Sequence, residues 1–318
     1  MLEGKAAARA ALAHSAQPAA RSSAWSRLAN SNAFIGYLFI LPVIVGLVVF
    51  VAYPVTYSLY LSFTSGTFGG AARWLGGRNY GELLHDRLFW YALRNTAYYT
   101  FASILMEVPL ALALALAMNQ KLKGIVAFRF VLFLPVITSS VAIAVMWGWI
   151  YNPQFGILNQ MLRVIGVKRI MWLAAPETAM LSIIIMSTWR GMGYTMLLFL
   201  AALQDIPEVY YEAAQVDGAG AWRRFRHITL PLISPMTFFL LVLGVIGGFQ
   251  IFEYAYTLGG ATGGPVYSTL TLVLYLYSQG FRSFRIGYAS ALAYIIFVIV
   301  LVMTLIQFRM QRRWVFYE

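Results

Sequence analysis

The chain has 318 residues, 61% hydrophobic and only 11% charged, with a mean hydropathy of +0.72, more apolar surface than a water-soluble core needs and a composition that points to a lipid bilayer. Cysteine is absent, which excludes disulfides, thiolate metal sites and a cysteine nucleophile, and three scattered histidines, His14, His85 and His227, do not make a zinc site alone. The net charge of +12 is gathered in short basic clusters beside apolar runs, the pattern of membrane orientation signals and not of a nucleic-acid surface.

Residues 1–33 are rich in Ala, Arg and Ser like a transit peptide, but the apolar run that follows is too long for a signal segment. They read as a solvated cytoplasmic tail. A helix needs about 20 apolar residues to cross the hydrocarbon, where backbone polar groups must pair internally. Six segments qualify: Phe34 to Leu61, Asn95 to Met118, Phe130 to Ile150, Thr178 to Leu203, Ile228 to Tyr256 and Ile286 to Phe308. The expected fold class is an all-α membrane protein with six transmembrane helices and both termini on one side. Putting them inside places thirteen Lys and Arg in inner segments against nine in outer ones, with Arg190 left within a span, so both termini are assigned to the cytoplasm.

Between the third and fourth spans, Ile157, Leu158, Met161, Leu162 and Ile165 share one helical face with Asn159, Gln160 and Arg163 opposite. This suits an interfacial helix with Trp172 as a headgroup-level anchor, and equally an ordinary packed loop helix. The tetrapeptides LPVI at Leu41, LPVI at Leu134 and LPLI at Leu230 recur near span starts, where proline can bend a helix.

The loop 205–231 joins spans four and five. Asp205, with Glu208 three residues on and Pro207 in the first turn, specifies a helix start, and Gly218 can end that helix in a left-handed conformation. Ile206, Val209, Tyr210, Ala213 and Val216 form a stripe, and the paired Ala213 and Ala214 leave a flush surface. Trp222, Arg223, Arg224, Phe225 and Arg226 begin a second polar helix that runs through Pro231 into the fifth span. A basic stop-transfer cluster beside an incidental helix is the plain alternative, yet cap, small pair, Gly and Pro together argue for a docking element.

The order Glu212, Ala213, Ala214, three residues, Gly218, nine residues, Ile228, one residue, Leu230, Pro231, with Asp217 before the glycine, resembles the EAA loop of permease subunits of binding-protein-dependent ABC importers. LRNTAYYT from Leu93, LPVI from Leu134, TWRGMGYTMLLFLAALQDIP from Thr188 and GGATGGP from Gly259 are similar to the sugar and glycerol-phosphate branch, in particular the maltose-type first permease. The resemblance implies a type I importer permease fold and a multi-pass subunit of a bacterial or archaeal plasma membrane. Its divisions would be a tail (1–33), a first helix with an outer loop (34–94), a five-helix core (95–310) and a C-terminal cytoplasmic tail (311–318). It further implies a second permease, two ATP-binding subunits and an extracytoplasmic solute-binding protein as partners, with no nucleic acid. Glu212, Ala213, Ala214, Asp217 and Gly218 would form the cytoplasmic coupling helix contact with the ATPase. No cofactor is expected on this chain: the only Gly-Lys pair, Gly4-Lys5, is followed by Ala6, not the Ser or Thr of a phosphate-binding loop.

Within the spans, Glu107, Arg190 and Glu253 each require a partner, because an isolated charge at depth costs at least about 2.5 kcal/mol. Pairing between Arg190 and a carboxylate is expected, with Glu107 and Arg190 structural. Glu253 with Gln250, and Trp189, Tyr194, Tyr254 and Tyr256, could supply the planar polar groups and aromatic faces that sugar hydroxyls call for. The competing reading is an ion-gradient-driven secondary transporter with Glu107, Arg190 and Glu253 as a relay; a membrane enzyme ranks last for want of a His or Asp cluster. Oligosaccharide, monosaccharide and glycerol-phosphate solutes all stay open.

Overall fold

The computed structural model describes residues 32–66, 72–120 and 123–316. All but the last two residues of the expected N-terminal tail, together with Lys121 and the final two residues, lie outside them. Among the described residues the chain is helical, with a single isolated bridge between Thr64 and Trp74 and no strand. Two units are distinguished, one within residues 1–57 and the other within 58–318.

In the first unit α1 (Asn32–Leu47) passes through a π turn, Val48–Ala52, into the start of α2 (Tyr53–Ser62). Pro54 has no N–H for the carbonyl four residues back, and the π turn, closed by the Tyr53 N–H on the Val48 carbonyl, takes up the mismatch. The side chains along it are exposed and apolar, as a lipid-facing helix requires.

The second unit continues with α3 (Arg78–His85), α4 (Arg87–Met118), α5 (Ile125–Ile137), α6 (Ser140–Ile150), α7 (Ile157–Val164) and α8 (Pro176–Gln204). After these come α9 (Glu208–Val216), α10 (Ala221–Arg224), a π turn at Phe225–Thr229, α11 (Leu230–Leu232), α12 (Ser234–Phe249), α13 (Glu253–Gly259), α14 (Leu272–Tyr277) and α15 (Ile286–Gln311). Four helices are long and apolar enough to cross a membrane: Gly36–Ser62, Arg87–Met118, Pro176–Gln204 and Ile286–Gln311. Two further candidates are bent pairs, Ile125–Ile137 with Ser140–Ile150 at 100° and Ala221–Leu232 with Ser234–Phe249 at 61°. The range is therefore four spans, or six when each bent pair is one span.

Two of the expected spans are each interrupted. Phe130 to Ile150 is broken at Thr138, which is extended, and Ser139, a few residues after Pro135 of the recurrent LPVI removes a donor from the helix ladder. Ile228 to Tyr256 bends at Ile233 and ends at Phe249, and Glu253–Gly259 is a separate helix. The second span begins earlier than expected, at Arg87, where Asp86 caps the helix through its side chain on the Leu88 N–H (2.8 Å). Residues 311–316 fold back: Trp314 packs edge-on against Phe238 and the Phe316 N–H donates to Ser234 Oγ.

α4 and α8 pack along their length and α12 crosses α4. That crossing is close because Gly244 and Gly248 present no side chain: a Cβ at Gly244 would stand 2.8 Å from Ile104 and one at Gly248 2.6 Å from Thr100. One buried cluster gathers Leu83, Phe89, Val245, Phe249, Leu274 and Leu292; another gathers Ala111, Ala115, Met196, Phe199 and Leu203. Asp86 is a hub for the first. Its carboxylate accepts from the hydroxyls of Tyr275 on α14 and Tyr288 on α15 while it caps α4.

Trp172 has partners within the protein. It is half-buried against Tyr151, with ring centroids 5.5 Å apart, and packs in a cluster with Trp147 and Trp189, as the packed-loop alternative expects. α7 does leave Ile157, Met161 and Ile165 exposed, while its polar Asn159 turns inward to bond the Ile170 N–H and carbonyl.

Gly248→Val is expected to lower thermal stability in detergent by the equivalent of about 1–3 kcal/mol through overpacking against Thr100. Burial raises the pKa of Asp86, but its tyrosine and backbone hydrogen bonds outweigh this and hold it below the ordinary carboxylate value of 3.8. Its contribution is thus present at neutral pH and lost as the pH falls below that value through the folded-state pKa. Asp86→Asn should melt lower at pH 7 and lose less stability than the parent on acidification.

Candidate coupling and solute sites

The coupling residues lie on α9 and the turn after it. The helix begins at Glu208 with Pro207 in the capping position and no side-chain cap. Asp205 instead closes α8, its N–H on the Ala201 carbonyl, so the expected cap is a correction: the preceding helix runs one residue beyond Leu203 and claims Asp205 as its own C-terminal cap. The end is as expected. Gly218 adopts φ +74°, with its N–H on the Gln215 carbonyl and the Ala219 N–H on the Ala214 carbonyl at 2.8 Å, a left-handed termination that a side chain disfavours.

Val209, Tyr210, Ala213 and Val216 are all exposed, Val216 at 88%, and Glu212 stands beside them. An apolar stripe with no cover on the chain itself results. Ala214 and Asp217 border an open depression of about 410 Å³ completed by Arg223, Arg224 and His227. On the opposite face Tyr211 meets Thr229 through their hydroxyls at 3.0 Å. This contact ties α9 to the π turn that leads into α12. Tyr211 was not singled out in the sequence, although the helical period places it opposite the exposed stripe.

The intramembrane charges sit apart. Arg190 is the middle residue of α8, and its Nη2 donates to the carbonyls of Val136 (3.4 Å) and Thr138 (3.3 Å) at the broken end of α5. The expected ion pair with a carboxylate is not formed; among the described residues the ion pair present joins Arg285 to Glu82. The reason is local: a helix that stops inside the protein exposes carbonyls that need donors, and a guanidinium supplies them. Glu107 accepts from Thr195 Oγ1 at 2.6 Å and lies against the Gly191 backbone.

Of the expected solute groups, Trp189, Glu253 and Tyr254 come together around the break between α5 and α6. Glu253, on α13, accepts from Ser140 Oγ, and Tyr254 lies within electrostatic reach of Arg190 and Glu253. Trp189 meets Trp147 edge-on at 5.6 Å. Gln250 is exposed at the end of α12. Tyr194 is elsewhere, lining a cavity of about 170 Å³ with Glu107, and Tyr256 packs with Phe252 and Tyr277. Ser140 and Trp147 were missed; the run Thr138-Ser139-Ser140 within an otherwise apolar segment was their signal.

Residues 107–315 match the family described as the binding-protein-dependent transport system inner membrane component. The chain belongs to this family. It is 40% identical over 296 residues to the probable ABC transporter permease protein YesP of Bacillus subtilis (strain 168), covering 92% of this chain and 95% of that one. With the lactose transport system permease protein LacF of Rhizobium radiobacter it shares 38% over 277 residues, or 86% and 92% of the two chains. A crystal structure of a bacterial alginate ABC transporter in complex with an alginate pentasaccharide-bound periplasmic protein contains a chain that superposes with a TM-score of 0.78 at 28% identity, covering 88% of this chain and 94% of that one. The fold is thus that of an importer permease.

Arg190→Met should leave the Val136 and Thr138 carbonyls without a donor and cost about 1–3 kcal/mol, read as a lower melting temperature of the purified protein. An unchanged melt would show that these carbonyls do not depend on Arg190.

Proposed function

We propose that the chain is the membrane-spanning subunit of an ATP-driven importer of a sugar or related solute. It acts with a second permease, two ATP-binding subunits and an extracytoplasmic solute-binding protein, in a bacterial or archaeal plasma membrane. Six spans cross the bilayer, the two bent pairs counting as one each, and both termini are cytoplasmic. Family membership, the likeness to a lactose permease and the likeness to an alginate importer with its periplasmic protein support this.

The observation that carries the mechanism is α9: an exposed, small-residue face stopped by a left-handed glycine and bound from behind to the helix entering α12. In this reading Ala213 and Ala214 allow close approach to an ATPase groove, Gly218 makes the turn, Glu212 offers a polar contact and Asp217 ends the helix. Closure of the ATPase pair around ATP displaces α9. Tyr211 and Thr229 then carry the displacement through residues 221–232 to α12, which is seated on α4 at Gly244 and Gly248. α13 follows α12 directly, so Glu253 and Tyr254 move against Ser140 and Trp189. The cavity that alternates between the two sides is placed there, with Gln250 at its edge.

Ion-driven transport has less support. Glu107, Arg190 and Glu253 form no ion pair with one another among the described residues; Glu107 and Glu253 are held by the neutral hydroxyls of Thr195 and Ser140 and Arg190 by backbone carbonyls, with the Tyr254 hydroxyl within electrostatic reach of all three.

Replacing Ala213 by Glu, or Gly218 by Glu, should lower both solute uptake and binding-protein-stimulated ATP hydrolysis about tenfold, the effect of losing about 1.4 kcal/mol of contact, while the protein persists in the membrane. Wild-type uptake and hydrolysis in both variants would overturn the coupling role.

A further inference from the structure

We propose that a second saccharide-binding site lies at the end of the bundle remote from α9, where it holds one or two uncharged glycosyl rings of the solute before they enter the central cavity. The inference rests on the sugar reading above. It starts from a pocket of about 400 Å³ between the N-terminal ends of α4 and α8 and the segment 265–268. α8 has 29 residues, so this pocket is about 40 Å along the helix from the residues that lead into α9.

The lining has the chemistry that sugars select. Tyr98 and Tyr267 offer aromatic rings to the apolar side of a pyranose, beside Tyr91, whose ring lies under the Arg87 guanidinium, and Arg94, Glu177 and the side-chain oxygen of Asn95 offer planar polar groups to hydroxyls. Tyr98 is exposed on one side of the pocket and Tyr267 partly so on another. Arg94 and Glu177 form no ion pair among the described residues, which leaves both for a ligand. Their charges cancel. A neutral saccharide fits that balance better than a phosphate or a uronate. The volume falls within the range of small-molecule sites.

A second observation singles out the same place. Val266 (φ 51°, ψ 38°) and Tyr267 (φ 59°) are in the left-handed region, an outlier for a β-branched residue that persists only where the surroundings enforce it. Here the enforcing group is Asn95, whose amide donates to the carbonyls of Tyr267 (2.8 Å) and Leu270 (3.0 Å). The strained segment is thus pinned by a residue of the pocket, and the pinning sets Tyr267 at its rim.

The chain has no cysteine, so Val266→Cys on the rim places the sole thiol of this subunit, and Ser268→Cys is a second reporter. The complete transporter in lipid nanodiscs is labelled with a maleimide, with and without whichever of lactose, maltose or cellobiose the wild-type complex takes up fastest. At twice the dissociation constant the saccharide should slow labelling of either cysteine about threefold, leave Arg313→Cys, exposed beyond the end of α15, unaffected, and lose its effect when Tyr98→Ala or Glu177→Gln is added. Unchanged labelling with a saccharide that is taken up would overturn the site alone. Protection by the unliganded solute-binding protein and not by saccharide would make the pocket a docking surface, which also overturns it. Uptake of none of the three would remove the sugar reading and the site together.

Discussion

Inside a bilayer no water completes a broken hydrogen-bond ladder, so every interruption of a helix has to be matched by donors from elsewhere in the protein. In this chain the constraint is met most plainly at Thr138 and Ser139. The bent pair α5 and α6 turns by 100° there, and its free carbonyls are served by Arg190 from the middle of α8. The Thr138 hydroxyl covers another carbonyl, that of Leu134. A charged side chain in mid-span, costly in isolation, becomes the means by which a break is tolerated. That requirement fixes the position of α8 against α5 and so the packing of the bundle's centre.

The same break gathers polar groups. Ser140 opens α6 next to it, Glu253 reaches Ser140 from a helix that exists because α12 also stops short, and Trp147, Trp189 and Tyr254 close around them. Interruption and polarity therefore coincide, which is where a hydrophilic solute can be met within an apolar envelope. α9 is joined to this region on both sides, through residues 205–207 to α8, which carries Trp189 and Arg190, and through Tyr211, Thr229 and α12.

Much of the fold was legible because a long apolar run is an unambiguous signal: Thr178 to Leu203 was expected and Pro176–Gln204 is found. The turn at Gly218 was legible for a similar reason, since a glycine after a helical stripe has few other uses. The break at Thr138 had a partial signal in Pro135, though not its size, and the break after Phe249 had none. Hydropathy counts apolar residues and is blind to chain direction, so a bent pair reads as a straight span. The partners of Arg190 were not legible, because a charged side chain in a sequence suggests an opposite charge, whereas backbone carbonyls exposed by a distant helix break satisfy it. Asp205 shows the limit of local caps: two helices competed for one residue, and the longer, better packed helix kept it. Asp86 and Tyr211 passed unnoticed because their partners are distant in sequence.

The π turn at Phe225–Thr229 holds one residue more than an ordinary turn, with the Leu230 N–H reaching back to the Phe225 carbonyl. Such a turn is a reserve of chain. Were it to relax into regular α-helix, everything beyond it would rotate by about 100° and shift by about 1.5 Å without a bond being stretched. A pull at this place can thus be answered by a twist, so the residues facing inward from α12 can be exchanged for their neighbours while the helix stays seated in the membrane.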